Sequence, residues 1–168
     1  SDRQGFLEQL IKEIASHESK CKAEGSTPAI RLNGTSDIAW ETVFPELFAM
    51  FPDVVFYDYT KFPINKRTNL PKNYTLTFSR SEANHDQVLD NLRAGRNVAI
   101  VFSTKKSEEL PSQYLGYEVI NGDIHDMRFL DPKGVIVGLK AKGDARKDTS
   151  GFVVKVINSL DEFYQELN

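Results

Sequence analysis

The sequence contains little cysteine, no long apolar run and no large excess of either charge. It has one cysteine, Cys21, so the chain alone forms neither an internal disulfide nor a zinc or iron–sulfur site built from several thiolates. No apolar run approaches the roughly 20 residues of a membrane-spanning helix, and no segment resembles a signal peptide. The formal net charge of -3 provides no overall attraction to nucleic acid or to an anionic membrane. We therefore expect no membrane association and a cytoplasmic location.

The overall amino-acid composition is typical of a globular protein. Of the 168 residues, 40% are hydrophobic and 11% are aromatic, which favours a folded core over long disorder. A chain of this length buries roughly 70% of its unfolded surface on folding, so we expect a single domain over residues 1–168. The chain begins at Ser1 and its first methionine is Met50, which predicts that a segment upstream of Ser1 has been removed.

Helical and strand patterns alternate along the first 102 residues. Apolar residues spaced three and four apart predict amphipathic helices, and short runs of β-formers between them predict strands. Such alternation indicates right-handed crossovers and a mainly parallel sheet covered by helices on both faces. The predicted fold class is therefore α/β. The predicted elements are helices at residues 3–23, 43–51 and 88–92, and strands at residues 29–32, 54–57, 74–78 and 97–102.

The pattern changes after Ser103. Three further strands are predicted, with no clear helix between them. Ser159 and Glu162 have the spacing of a capping box and predict a short terminal helix. The predicted strands lie at 118–120, 135–139 and 151–156, and the side chains expected to dock the helix are Leu160, Phe163 and Leu167.

Polar residues follow most of the predicted strands. In parallel α/β sheets the carboxyl ends of the strands face the ligand, so these residues form a candidate site. Helix capping is the competing explanation for individual residues such as Ser36 and Asp37. The candidate ligand-binding residues are Arg31, Asn33, Ser36, Tyr59, Lys61, Ser79, Arg80, Lys140 and Lys142.

The segment from Asn33 to Asp37 lies between a predicted strand and a predicted helix. Its backbone N–H groups and hydroxyls could surround a phosphate or another anion at a helix N-terminus. The glycine spacing and the lysine of a phosphate-binding loop are absent, so the pattern is weakly specific.

Residues 122–126 collect two carboxylates and an imidazole. These are ligand types for a divalent metal, and they also suit acid–base catalysis, but Gly and Asp equally favour a tight turn. The metal and any cofactor stay unassigned. The candidate catalytic residues are Asp37, Glu82, Asp123 and His125.

The stretch from Lys133 to Lys155 has a local excess of positive charge. Its basic residues include Arg146 and Lys147, with Asp144 and Asp148 among them. Such a loop could clamp a phosphate or a nucleic-acid backbone, while a solvated charged loop is the alternative interpretation.

Several motifs carry a family resemblance. The segments at 31–37 (RLNGTSD), 56–61 (FYDYTK) and 73–82 (NYTLTFSRSE), continuing to Phe152, resemble a group of phage and plasmid proteins similar to the gene-product-88-like proteins. The strand pattern of that group is in turn distantly similar to radical-SAM-type partial barrels. The resemblance implies a protein encoded by a mobile element, acting in the bacterial host cell, with a (β/α) barrel-like fold.

The resemblance also implies what this chain lacks. Longer relatives carry a cysteine-bearing segment ahead of Ser1, and with Cys21 alone the three thiolates of a radical-SAM cluster cannot be assembled. A complete eight-stranded barrel needs about 250 residues, so we expect an incomplete barrel. Its open sheet edges should be covered by a partner, a second copy or the terminal helix.

Three functions are compatible with these features. The first is binding of a phosphorylated small molecule or nucleotide at the carboxyl ends of the strands. The second is a non-catalytic module that binds a host protein or nucleic acid. The third is a metal-dependent phosphodiester enzyme that uses the candidate carboxylates and His125.

Overall fold

The computed structural model describes residues 2–157 and 160–168, excluding the side chains of residues 160–162 and 166. The helices are α1 (Asp2–Glu24), α2 (Trp40–Val43), α3 (Glu46–Met50), α4 (His85–Arg93) and α5 (Leu160–Leu167). The strands are β1 (Ala29–Arg31), β2 (Val55–Thr60), β3 (Tyr74–Ser79), β4 (Val98–Phe102), β5 (Gln113–Tyr114), β6 (Tyr117–Asn121) and β7 (Ile136–Lys140). Short 3₁₀ helices lie at Ile64–Lys66, Arg128–Leu130 and Gly143–Lys147.

The seven strands form a mostly parallel sheet in the order β1-β2-β3-β4-β7-β6-β5. The pairs β1–β2, β3–β4, β4–β7 and β6–β7 are parallel, and the hairpin β5–β6 is antiparallel. The predicted α/β class with a mainly parallel sheet is therefore confirmed. The sheet is open, with β1 and β5 at its ends, and it is not a closed barrel.

The chain divides into two compact units. The first comprises the residues up to Thr77 together with Met127–Asp131, and the second comprises Phe78–Asp126 and Pro132–Asn168. The boundary falls within β3. The expectation of a single domain stays a prediction.

The first unit has an aromatic core. The edge of Phe56 on β2 meets the ring of Phe48 on α3 at 5.1 Å between centroids, and Tyr74 stacks on Phe48 at 4.8 Å. Ile14 of α1 is buried in the same cluster, which confirms the apolar face predicted for this helix. Aromatic pairs in these geometries stabilise by about 0.5–1.5 kcal/mol each beyond the area that they bury.

The helix predicted at 43–51 is instead two short helices, α2 and α3. Pro45 lies between them, where a proline lacks the N–H that a continuous helix would need. The preceding residue, Phe44, has left the helical region with φ -147° and ψ 68°, as expected for a residue before proline. The apolar spacing was recognised correctly, but the break at Pro45 was missed.

The second unit is built around β4 and β7. Val98 pairs with Ile136, and the register continues to Phe102 opposite Lys140. Most apolar side chains of both strands are almost wholly buried, as expected for central parallel strands, while Val101 and Leu139 are half-buried. This register places the residues that follow Phe102 and Lys140 at the same edge of the sheet.

The strand predicted at 151–156 is reduced to one bridge, between Val154 and Phe102. β3 pairs with β4 only as far as Ala99, so the last residues of β4 offer a free side to the later segment. Two backbone hydrogen bonds join them, from Val154 N to Val101 O and from Ser103 N to Val154 O.

The terminal helix α5 is present as predicted, but two of the three side chains expected to dock it are exposed. The Phe163 side chain is 43% exposed and the Leu167 side chain is 66% exposed. The capping pair of Ser159 and Glu162, and the side chain of Leu160, lie outside the described residues. No helix among the described residues is long and apolar enough to span a membrane.

Gly138 lies in the middle of β7, where its neighbours leave no room for a side chain. A Cβ at this position would lie 2.6 Å from Cγ1 of Val119 and 3.3 Å from the carbonyl oxygen of Ile120, both on β6. We expect Gly138→Ala to lower the free energy of unfolding by about 1–3 kcal/mol in urea denaturation, because the paired strand must shift. Gly34→Ala is the matched control, since nothing lies within 4 Å of its Cβ position. Equal losses in both variants would contradict this explanation.

Candidate functional site

In the first unit, Asn33 organises the loop at residues 33–37, which the sequence analysis singled out as a candidate anion site. It is 1% exposed, and its side-chain oxygen accepts hydrogen bonds from Ser36 Oγ, Ile38 N and, at 2.9 Å, Trp40 Nε1. Its amide group donates to Ile38 O and to Asp58 Oδ2. The polar atoms of Asn33 are therefore engaged in holding the loop in place.

The loop at residues 33–37 does not lead directly into a helix, and its role as an anion site stays a prediction. α2 begins at Trp40, is four residues long and follows Ala39, which makes no side-chain capping bond. Asp37 Oδ2 accepts a 2.7 Å hydrogen bond from the backbone N of Lys61 instead. Asp37 thus links the exit of β1 to the exit of β2, and neither it nor Ser36 caps α2.

Arg31 is also held by its own loop. Its guanidinium donates to Asn33 O at 2.8 Å and to Gly34 O at 3.0 Å, and it lies 5.0 Å from the centroid of the Tyr59 ring. The six candidates of this unit are thereby clustered around the ends of β1 and β2. They are Arg31, Asn33, Ser36, Asp37, Tyr59 and Lys61.

A buried polar network lies beneath this loop, and the sequence analysis did not identify it. Tyr74 Oη donates to Asp58 Oδ2 at 2.5 Å, and Asp58 Oδ1 accepts from Asn33 N at 2.7 Å. Arg67 binds Glu41 through two hydrogen bonds of 2.6 and 2.5 Å, with both side chains buried. Isolated polar residues on otherwise apolar strands were the sequence signal for this network. The sequence does not show which of them pair, because the partners are far apart in the chain.

The network raises the pKa values of some of its members and lowers that of another. Burial raises the pKa of Asp58 even though Tyr74 and Asn33 donate hydrogen bonds to it. Burial, together with the bond to Asp58, also raises the pKa of Tyr74. Burial opposes ionisation of Glu41 as well, but the hydrogen bonds and positive charge of Arg67 hold the pKa of Glu41 below its ordinary value.

In the second unit, the residues after β3 anchor the later chain. Arg80 Nη1 donates to Gly151 O at 2.9 Å and to Phe152 O at 2.6 Å. Asn84 fastens the turn, because its amide group donates to Ser79 O at 3.0 Å. Ser79 is half-buried, and Glu82 is exposed.

The carboxylate-rich segment after β6 is a turn, as the alternative interpretation predicted. Asp123 Oδ2 accepts from Lys140 N at 2.9 Å, and Oδ1 accepts from Lys142 Nζ at 2.6 Å. His125 is exposed. Within the described residues, no group of three or more His, Cys, Asp or Glu side chains is placed to hold a metal ion. The catalytic roles of Asp37, Glu82, Asp123 and His125 stay predictions.

A large cavity lies beyond the carboxyl ends of β4 and β7 in the second unit. Its volume is about 820 Å³. Basic residues contribute much of its polar wall, and Ala141 and Val153 contribute apolar surface. We call it the main cavity. Its basic lining residues are Lys105, Lys106, Arg146 and Lys155.

One carboxylate, Asp148, lines the main cavity among the described residues. Its Oδ1 accepts from the Ser150 hydroxyl at 2.6 Å and its Oδ2 accepts from Val153 N at 3.0 Å. The hydrogen bonds from Ser150 lower the pKa of Asp148. Its negative charge is thus directed at donors of its own loop, and the basic residues outnumber it at the cavity wall.

Thr104 contributes a polar atom without a partner. It follows β4, is 1% exposed and lines the main cavity. Its hydroxyl oxygen is shielded from solvent and has no hydrogen-bond partner within the described residues. Leaving such a group unsatisfied costs about 1–3 kcal/mol.

A smaller cavity of about 380 Å³ adjoins the main one. Both are lined by Lys106, Ala141 and Arg146. We call it the side cavity. Its other lining residues are Asn121, Asp123, Lys140 and Lys142.

Residues 1–156 match the model of a family described as Gene product 88. The chain belongs to this family. No curated protein and no solved structure matches the chain. The gene product 88 match spans residues of both units and includes the residues that line the two cavities, while α5 lies beyond it. It identifies a phage or mobile-element protein, as the motifs suggested.

For this gene product 88 protein, sequence reasoning located part of the cavity wall. Lys140, Lys142 and Asp123 were singled out and lie together at the side cavity. Lys105 and Lys106 were missed, although they follow Thr104 directly at the exit of β4. Basic residues just beyond a buried strand were the signal that could have identified them.

Proposed function

We propose that the main cavity binds a phosphorylated small molecule or a nucleotide. The proposal depends on one observation above all. Four basic residues line a concave space of about 820 Å³ at the carboxyl ends of two parallel strands. Volumes of about 300–1,000 Å³ are usual for small-molecule sites, and this edge of an α/β sheet is where ligands bind.

The wall suits a ligand with an anionic group and a less polar body. Lys105 and Arg146 provide cationic donors for phosphate oxygens. Ala141 and Val153 provide apolar surface for the remainder of the molecule. A phosphorylated metabolite and a nucleotide share this chemistry.

Titration calorimetry with AMP, ribose 5-phosphate and uncharged adenosine tests the proposal. We expect the two phosphorylated compounds to bind and adenosine to bind more weakly. Arg146→Ala should weaken AMP binding by about 10- to 100-fold, since a hydrogen bond to a charged group contributes about 1.5–3 kcal/mol. Added salt should weaken AMP binding to the native protein, because it screens the attraction between the basic residues and the phosphate.

Lys147→Ala is the matched control for this experiment. Lys147 is the next residue of the same 3₁₀ helix, has the same charge sign, and does not line either cavity. Its replacement should leave the affinity for AMP almost unchanged. Absence of binding by every phosphorylated compound at millimolar concentration would refute the proposal, as would equal losses in the two variants.

A further inference from the structure

The two cavities of the second unit are neighbours. Lys106, Ala141 and Arg146 line both of them. Ala141 is buried and has only a methyl side chain, so it puts little side-chain bulk at a position that both cavities share.

Each cavity has basic residues of its own besides the shared pair. Lys105 and Lys155 line the main cavity only, and Lys140 and Lys142 line the side cavity only. Positive charge thus occurs at both ends of the combined space, with Lys106 and Arg146 between them. A single phosphate would use only one end of this distribution.

The ends differ in how their lysines are held. Lys140 Nζ donates to Lys106 O at 3.2 Å and to Glu108 O at 2.5 Å, so it fixes the loop after β4 against β7. Lys142 has a side chain that is 70% exposed and is held by Asp123 at 2.6 Å. Lys140 is therefore a positioning residue, and Lys142 is the cation available to a ligand at the side cavity.

We propose that the ligand is a nucleotide with two separated phosphate groups, one in the main cavity and one at Lys142 in the side cavity. The inference rests on the proposed function and specifies the ligand class for the same site. The nucleoside between the phosphates lies against Ala141. Arg146 lies within reach of both groups because it lines both cavities.

Asp123 opposes the binding of a second phosphate group in the side cavity. Its carboxylate already accepts a hydrogen bond from Lys142 and would repel an approaching anion. Lys142 must turn from Asp123 toward the ligand, which its exposed side chain permits. The structure therefore favours ligands whose second phosphate is far enough from the first to reach Lys142.

The test compares two isomeric nucleotides with two phosphate groups each. Adenosine 3′,5′-bisphosphate has its phosphates on opposite sides of the ribose, and ADP has both in one chain. We expect the bisphosphate to bind at least about tenfold more tightly than ADP, in calorimetry at fixed ionic strength. Lys142→Ala should abolish this preference, whereas Lys147→Ala should preserve the preference and leave the affinity for AMP unchanged.

The outcomes separate the two proposals. If AMP binds in an Arg146-dependent way but the bisphosphate and ADP bind equally, the two-phosphate inference is wrong and the proposed function stands. The same conclusion follows if Lys142→Ala weakens AMP and the bisphosphate by the same factor. If no nucleotide binds but ribose 5-phosphate does, the two-phosphate inference is wrong and the proposed function stands, and if neither binds, both proposals are refuted.

Discussion

Arg67→Ala should lower the free energy of unfolding by about 3–5 kcal/mol, because it leaves the buried carboxylate of Glu41 without its counter-ion. Both side chains are buried, and two hydrogen bonds join them. Chemical denaturation at neutral pH measures the loss. Lys66→Ala is the matched control, since Lys66 is the adjacent basic residue and is exposed.

The pH dependence of the Arg67→Ala effect has a definite sign. The pKa of Glu41 is lowered from 4.5 in the folded protein, so the pair stabilises the fold above that pH and loses its effect as the pH falls. The difference between the native protein and the variant should therefore narrow in acid. A difference that widens in acid would contradict the ion-pair explanation.

Replacing both partners should be far less harmful than replacing one. A Glu41→Leu and Arg67→Met double variant removes both charges and retains apolar volume. We expect it to recover most of the stability lost in Arg67→Ala. If the double variant were as unstable as the single one, packing rather than the unpaired charge would explain the loss.

Asp58→Ala is expected to have the second-largest effect, a loss of about 2–4 kcal/mol at neutral pH. It removes the acceptor for the hydroxyl of Tyr74 and for the backbone N of Asn33, both in buried positions. Each buried donor left without an acceptor costs about 1–3 kcal/mol. Thermal and urea unfolding measure the loss, and Asp53→Ala, at an exposed aspartate, should change stability by less than about 0.5 kcal/mol.

The Asp58→Asn variant tests the electrostatic part of this expectation. Burial raises the pKa of Asp58 above the ordinary value of 3.8, so ionisation destabilises the folded state as the pH rises through that window. The stability advantage of the native protein over Asp58→Asn should therefore shrink from acid toward neutral pH. An advantage that grows over this range would show that the carboxylate is stabilised by its donors more than burial destabilises it.

The α/β class was predictable because its signals are local. The three- and four-residue apolar spacing of α1 and the continuous apolar run of β4 depend only on neighbouring positions in the chain. The same local reasoning correctly placed the terminal helix α5. It erred at Pro45, where a single residue interrupts an otherwise helical pattern.

The candidate site was predictable only in part, because it depends on how distant segments meet. The positive stretch around Lys142 and Arg146 is visible in the sequence, but its nearness to Lys105 and Lys106 follows from the register of β7 on β4. Asn33 illustrates the converse. Its position after a strand suggested ligand binding, while the tertiary structure engages its side chain with Trp40 and other partners.

The sequence by itself determined the alternation of helices and strands, the absence of a long apolar span and the motifs of the gene product 88 family. Only the tertiary structure decided which polar side chains form hydrogen bonds or ion pairs within the protein and which line a cavity. The physical reason is that a hydrogen bond or ion pair between distant residues depends on strand register and packing, which are properties of the whole core rather than of any segment.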